Sequence, residues 1–284
     1  MKHNIIFLEG LPGSGKTTYL RRLKKDLRNK VEIKMYEEGM INPIDLGYCA
    51  VMPHAIYTNY LNRFEAIKDS IEQVSMNHED FVVTVFTKIS RPTLDDPFYH
   101  VFGKYQLDQY ADFETFKSTY IALWEKFSKN YKDDKLYLYG GAFLQNHFEI
   151  LYLRYGLSKV EMMDYFKALI KTLKPLNPLI VYIKQQNIKQ TIDLTAKKRT
   201  KEQTNGYKDW IDMVIDSFDS LPLAKAKGYT GLEGAYRFYE DEQQFELELL
   251  NNVSSETLSI TLNKNYDHVY YDLYNYVKKS IEKE

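Results

Sequence analysis

One segment limits what this chain can fold into more than any other. A short apolar run, Ile5-Ile6-Phe7-Leu8, passes straight into Gly10-Leu11-Pro12-Gly13-Ser14-Gly15-Lys16-Thr17-Thr18. Helical periodicity follows at once, with Leu20, Leu23 and Leu27 on one stripe and Arg21, Arg22, Lys24 and Lys25 largely outside it. Strand, glycine-rich turn and helix, with the spacing G-x-x-x-x-G-K-[ST], is the arrangement that holds phosphate. Glycines let backbone N–H groups turn inward as a nest around phosphate oxygens, where larger side chains would stand in the way. On this pattern Gly10, Gly13, Ser14, Gly15 and Thr18 belong to the cradle. Lys16 places an ammonium on the β- and γ-phosphates, and the Thr17 hydroxyl ligates Mg²⁺. The amino-terminal dipole of the helix adds to the attraction. At ordinary glycine usage a chance match in a chain this long is on the order of one per cent.

The rest of the chain alternates strand and helix signals. Val31, Ile33 and Met35 alternate with Glu32 and Lys34, a second strand running out at Tyr36-Glu37-Glu38-Gly39. Further apolar runs are Leu136 to Tyr139, Leu179 to Ile183 and Leu258 to Leu262, each followed by a helical pattern. This order predicts an α/β fold with a parallel sheet covered by helices on both faces. Ser158 and Glu161 form a capping box ahead of Met163, Phe166, Ile170 and Leu173, and Gly156 stops the helix before it. The stretch from about 50 to 134 is aromatic-rich. It is expected to be a mostly helical insertion with one strand-like run, Phe81 to Phe86, within a single domain spanning 1–284. The helix from about Glu233 to Leu250 is expected to be amphipathic, with Glu242, Glu246 and Glu248 solvated.

Composition removes several classes of function. Lysine plus arginine (38) nearly cancels aspartate plus glutamate (39), which argues against a protein that coats nucleic acid. Cys49 is the single cysteine, so these 284 residues form no internal disulfide and no multi-cysteine zinc site. No stretch approaches the roughly 18 apolar residues of a membrane span and no signal-peptide pattern is present, so the expected setting is cytoplasmic, with no membrane partner. The six histidines show no paired metal-ligand spacing.

The run Ile6-Phe7-Leu8-Glu9-Gly10-Leu11-Pro12-Gly13-Ser14-Gly15-Lys16-Thr17-Thr18 resembles the opening of P-loop kinases of the thymidylate kinase and deoxynucleoside kinase type, which place a Glu-Gly pair before the loop. The resemblance implies a three-layer P-loop NTPase fold with a five-stranded parallel sheet, and a mobile lid, here about 197–206, over ATP. It also implies Mg²⁺-dependent transfer of the γ-phosphoryl group to a small acceptor, a nucleoside or nucleotide first of all; a homodimer is left open. Residue by residue, Glu37 or Glu38 stands where deoxynucleoside kinases keep the carboxylate that accepts the acceptor's proton. Arg199, with Lys198 beside it, stands where the lid cation closes on the transferring group. Two departures are plain. The third strand runs into Tyr139-Gly140-Gly141-Ala142-Phe143-Leu144-Gln145-Asn146 without the usual acid, and Pro12 replaces the P-loop aspartate of thymidylate kinases. Alternatives are a P-loop kinase acting on another hydroxyl compound, such as an antibiotic, and a nucleotide-binding regulatory ATPase. Asn263-Lys264-Asn265-Tyr266-Asp267 falls short of the guanine-reading pattern because its aspartate comes one residue late; the same loop is a candidate lining for the adenine pocket.

Overall fold

The structure, a computed structural model, describes residues 1–37, 40–91, 93, 96–200, 209–262 and 265–281. It divides into two compact units, Met1–Glu38 with Tyr131–Glu284, and Gly39–Asn130. Glu38, the lid positions 201–206, Asn263 and Lys264 lie outside the described residues.

In the first unit, β1 (Ile5–Glu9) and α1 (Lys16–Leu27) are followed by β2 (Glu32–Tyr36). In the second come β3 (Ala50–Pro53), α2 (His54–Arg63), α3 (Lys68–Gln73), β4 (Ser75–Asn77), β5 (Phe81–Thr84), α4 (Pro97–Gly103), α5 (Leu107–Tyr110) and α6 (Phe113–Asn130). The first unit then resumes with β6 (Lys135–Gly140), α7 (Gln145–Glu149), a π-helical turn (Ile150–Arg154) and α8 (Lys159–Thr172). It closes with β7 (Leu179–Gln185), α9 (Ile188–Arg199), α10 (Trp210–Ser220), α11 (Pro222–Ala226), α12 (Gly231–Leu250), β8 (Glu256–Leu262) and α13 (Tyr266–Ile281).

The first unit is built on a five-stranded, all-parallel sheet in the order β2-β6-β1-β7-β8, the α/β fold expected from the sequence. β1 pairs on both sides, with β6 and β7, and every one of its residues is buried. A strand covered on both faces has no polar side to alternate with, which is why Ile5 to Leu8 reads as a continuous apolar run. β2 pairs only with β6, and its Glu32 and Lys34 are exposed. One face of the sheet packs Ile6, Leu8, Leu138 and Val181 with Leu20, Leu23 and Leu27 of α1 and Leu273 and Val277 of α13. The other face is aromatic: Phe7 lies 5.7 Å from Tyr139 and 5.7 Å from Phe143. Phe143 meets Phe166 of α8 at 5.4 Å, and Phe148 meets Phe245 of α12 at 5.2 Å. Aromatic rings at such separations add attraction beyond the area they bury.

Local signals in this unit are realised as read. Ser158 accepts from the Glu161 backbone N–H while the Glu161 carboxylate accepts from Ser158 N at 2.8 Å, a complete capping box. Gly156 adopts φ +66°, the left-handed turn that ends the preceding helical segment.

The second unit differs from its sequence reading. It is mostly helical, as expected, but carries a three-stranded antiparallel sheet, β3-β5-β4, where the sequence shows one strand-like run. β3 and β4 are four and three residues long, one ending at Pro53 and the other holding polar Ser75 and Asn77, so neither leaves a period-2 signature. Met52, Val82, Phe86, Phe98 and Phe102 form its core, and Trp124 of α6 donates its indole N–H to the Ile44 carbonyl at 2.7 Å. No described helix is long and apolar enough to cross a membrane.

Candidate functional site

The segment between β1 and α1 turns on three glycines with positive φ: Gly10 at +132°, Gly13 at +83° and Gly15 at +90°. A Cβ on Gly10 would stand 2.7 Å from the Ile183 carbonyl oxygen of β7, so the loop leaves the sheet pressed against the neighbouring strand. A Cβ on Gly13 would stand 1.8 Å from Thr195 Oγ1, so the crown of the loop lies against α9. α1 then begins at Lys16 with neither a side-chain cap nor an acid in its first turn. Its orphan N–H groups and dipole therefore face the loop without an internal anion.

Lys16 is buried, and its ammonium is folded into the turn that precedes it. Nζ donates to the Gly10 carbonyl at 2.5 Å, the Leu11 carbonyl at 3.0 Å and Ser14 Oγ at 3.3 Å. These hydrogen-bond acceptors are neutral, although the Lys16 charge also acts on buried Glu9, and an anion brought to the same place would pair with the ammonium directly. Ser14 is buried, whereas Thr17 and Thr18 are exposed on the first turn of α1.

Glu9, the last residue of β1, is fully buried beside this loop. Its carboxylate accepts from Phe143 N at 2.9 Å and Leu144 N at 3.2 Å, which ties the start of the loop to the turn after β6. Burial raises its pKa to about 7 against the lowering effect of those donors and of Lys16. In the sequence Glu9 was only half of a Glu-Gly pair; its acceptor role depends on backbone more than a hundred residues away. Gln145, at the start of α7, brings Oε1 within 3.4 Å of the place a Gly141 Cβ would occupy, and that oxygen has no hydrogen-bond donor among the described residues.

Beside Gly13 a cleft of about 140 Å³ is lined by Thr191, Leu194, Thr195, Lys198 and Arg199 of α9 and by Tyr266 of α13. Lys198 and Arg199 are exposed, and the Arg199 guanidinium lies over the Trp210 ring at 5.0 Å. A wider cleft of about 510 Å³ shares Thr191, Leu194 and Tyr266 and adds Gln185, Gln186, Asn187, Gln190 and Leu262. The structure thus brings Lys198 and Arg199 to the loop. Asp267 is engaged elsewhere, accepting from Arg22 at 2.7 Å.

Glu37 follows β2 as expected, but its two oxygens accept from the Arg21 guanidinium at 2.7 and 2.6 Å, and this pairing lowers its pKa. A lowered pKa makes a weaker base.

The largest departure is α12. The sequence reading leaves Glu242 and Glu246 in solvent, yet they are 2% and 1% exposed. Tyr182 of β7 donates its hydroxyl to Glu246 Oε2 at 2.5 Å, and the charge of Lys16 acts on both acids. Burial pushes Glu246 up to about 8 and Glu242 well above the usual carboxylate range. Among the described residues no group of three or more histidine, cysteine, aspartate or glutamate side chains is arranged to hold a metal ion.

No protein-family model matches this chain, and no curated protein matches it. Among solved structures it is similar to the crystal structure of EHV4-TK, a herpesvirus thymidine kinase, complexed with TP4A. The match has 13% identity and a TM-score of 0.36, and covers 96% of this chain and 90% of that one. At that distance neither substrate nor activity carries over.

Proposed function

We propose that the chain is an ATP-dependent phosphotransferase that moves the γ-phosphoryl group to a small acceptor, a nucleoside or nucleotide in the first place. The observation that carries the reading is Lys16 folded onto the carbonyls of Gly10 and Leu11 inside a left-handed glycine turn, at the uncapped start of α1. Phosphoryl transfer asks the protein mainly for position and charge, and this corner supplies both. In this reading Lys16 leaves the carbonyls for phosphate oxygens, and the backbone N–H groups from Gly13 to Thr18 enclose them. Lys198 and Arg199, which line the cleft beside Gly13, supply cation toward the charge that grows on the transferring group.

Among the described residues, the Thr17 hydroxyl at the start of α1 fits a magnesium ion. With no described three-acid cluster, it would be held by the nucleotide's phosphates and water, with the Thr17 hydroxyl as the protein's contribution. Bound there it would neutralise phosphate charge.

A hydroxyl acceptor benefits from a nearby base that takes its proton. Glu37 and Glu38 both remain candidates by position. The Arg21 pairing of Glu37 favours assigning the role to Glu38.

The test is acceptor-dependent ADP formation from Mg·ATP, across nucleosides, nucleoside monophosphates and unrelated small hydroxyl compounds. Turnover that rises at least tenfold with one nucleoside or nucleotide supports the reading. Turnover indifferent to every acceptor would favour a regulatory ATPase instead.

A further inference from the structure

Three acids have no part in that chemistry and are nonetheless buried beneath it. Glu9, Glu242 and Glu246 are 0%, 2% and 1% exposed. Glu9 adjoins Gly10 in the chain and pairs in register with Tyr182, whose hydroxyl donates to Glu246 Oε2. Glu242 lies one helical turn before Glu246. α12 is clamped to the end of β7, because Gln185 N donates to Gln243 Oε1 at 2.7 Å and Gln243 Nε2 donates to the Gln185 carbonyl at 3.0 Å. Glu242 Oε2 and Glu246 Oε1 are buried with no hydrogen-bond donor among the described residues. A buried carboxylate oxygen without a donor is a place for a proton.

Lys16 is the cation whose charge reaches all three acids. One ammonium does not balance three buried carboxylates, so at neutral pH the group holds protons. The other polar groups packed around it do not remove the excess. The charge of Glu149, at the end of α7, also acts on Glu242 and adds to the negative side. α9 meets the amino-terminal part of α12 through its own pairs, Asp193 with Tyr236 and Lys189 with Glu233. α10 contributes the Phe218 ring against Phe238, and its Asp219 accepts from Gly231 N.

We propose that Glu9, Glu242 and Glu246 form a proton store coupled to the phosphate loop: an anion placed against Lys16 draws a proton from solvent onto a carboxylate oxygen of this group, and its departure returns the proton. The proposal rests on the reading of the loop as a nucleotide site and adds a linkage to it. Lys16 favours ionisation of all three acids beside the Phe143, Leu144 and Tyr182 donors, so an anion that neutralises Lys16 withdraws its share of that support and raises proton affinity. Glu242 and Glu246 are thus positioning residues, acting on the ligand through the charge they set opposite Lys16. With Glu9 titrating at about 7 and Glu246 at about 8, the linkage falls in an accessible pH range.

The experiment is calorimetric titration of Mg·ATP at about pH 8, where free ATP is itself fully ionised, in buffers of low and high ionisation enthalpy. The slope of observed enthalpy against buffer enthalpy counts protons taken up, and about half a proton is expected for the unaltered chain. In Glu242→Gln/Glu246→Gln, whose neutral amides keep the size of protonated acids, the slope should fall at least threefold. ATP binding with no buffer dependence, or with a slope unchanged in the double variant, overturns the proton store and leaves the nucleotide site standing. No ATP binding at all overturns the nucleotide reading instead. The store is then judged by denaturation of the protein alone, since stability should fall between about pH 5 and pH 8 and do so less in the double variant. An identical pH profile for the two proteins would overturn it. Should the double variant not fold, Glu246→Gln alone serves, because its amide oxygen still accepts from Tyr182.

Discussion

Gly13→Ala examines the contact on which the site depends, the crown of the loop against α9. Two costs are separable. Gly13 has φ +83°, a conformation that costs an L-residue about 1–2 kcal/mol. Its new Cβ would also stand 1.8 Å from Thr195 Oγ1 and 3.1 Å from Thr195 Cβ. Oγ1 is held by its own donation to the Thr191 carbonyl at 2.7 Å, so moving it away breaks a bond or shifts the helix. Overpacking of that kind costs about 1–3 kcal/mol. The single substitution should therefore destabilise by about 2–5 kcal/mol. Thr195→Ala removes the clashing oxygen and leaves the 3.1 Å approach to Cβ and an ordinary 3.4 Å contact with Thr191, which small shifts absorb. In that background Gly13→Ala should cost only the backbone part, about 1–2 kcal/mol. Equilibrium urea denaturation of the two single variants, the double variant and the parent gives the coupling, expected to be about 1–3 kcal/mol. Additive costs with no coupling would refute the packing of α9 on the loop, and with it the cleft that brings Lys198 and Arg199 to Gly13.

Other outcomes follow from single observations. Glu9 titrates at about 7 in the fold against an ordinary value of 4.5, so its contribution is full below pH 4.5 and is lost as pH rises through 7. The loss amounts to about 3 kcal/mol, which denaturation across a pH series should show and Glu9→Gln should diminish. Arg21 is mostly exposed, so Glu37→Gln should cost under about 1 kcal/mol of stability and leave turnover within about tenfold. Glu38→Gln should lose about 10²–10⁴-fold of turnover with nucleotide affinity nearly constant; the reverse pattern moves the base to Glu37. Ser158→Ala removes one side of the capping box on α8 and should cost about 1 kcal/mol in thermal or chemical denaturation.

The parts legible in the sequence are those whose cause is local. Ile5 to Leu8 is uniformly apolar because β1 is paired and covered on both sides, and Gly10 to Thr17 needs its glycines because three positive φ angles occur within six residues. Ser158 and Glu161 satisfy each other within one helical turn. What escaped is set by distant partners. α12 buries Phe238, Tyr239, Glu242, Gln243, Phe245, Glu246 and Leu249, a face too wide for an amphipathic reading to separate inside from outside. Glu242 and Glu246 are spaced like solvated acids, and packing of α12 on β7, through Tyr182 and Gln185, helps make them interior. In the second unit, β3 and β4 take their order from β5, not from their own residues.

In the proposed reading the loop from Gly10 to Thr17 receives the phosphates of a nucleotide, with Lys16 as its charge. That reading is tested most directly by titrating Mg·ATP into the protein and into Lys16→Ala, with melting temperatures measured alongside. A hydrogen bond to a charged group is worth about 1.5–3 kcal/mol, so the variant should bind about 10–100-fold more weakly. Lys16 also donates to two carbonyls and a hydroxyl, and its charge acts on buried Glu9, Glu242 and Glu246, so the melting temperature can shift as well and the affinities are compared at a temperature where both proteins are folded. Equal affinity for Mg·ATP in both folded proteins would overturn the reading of the loop as a nucleotide site.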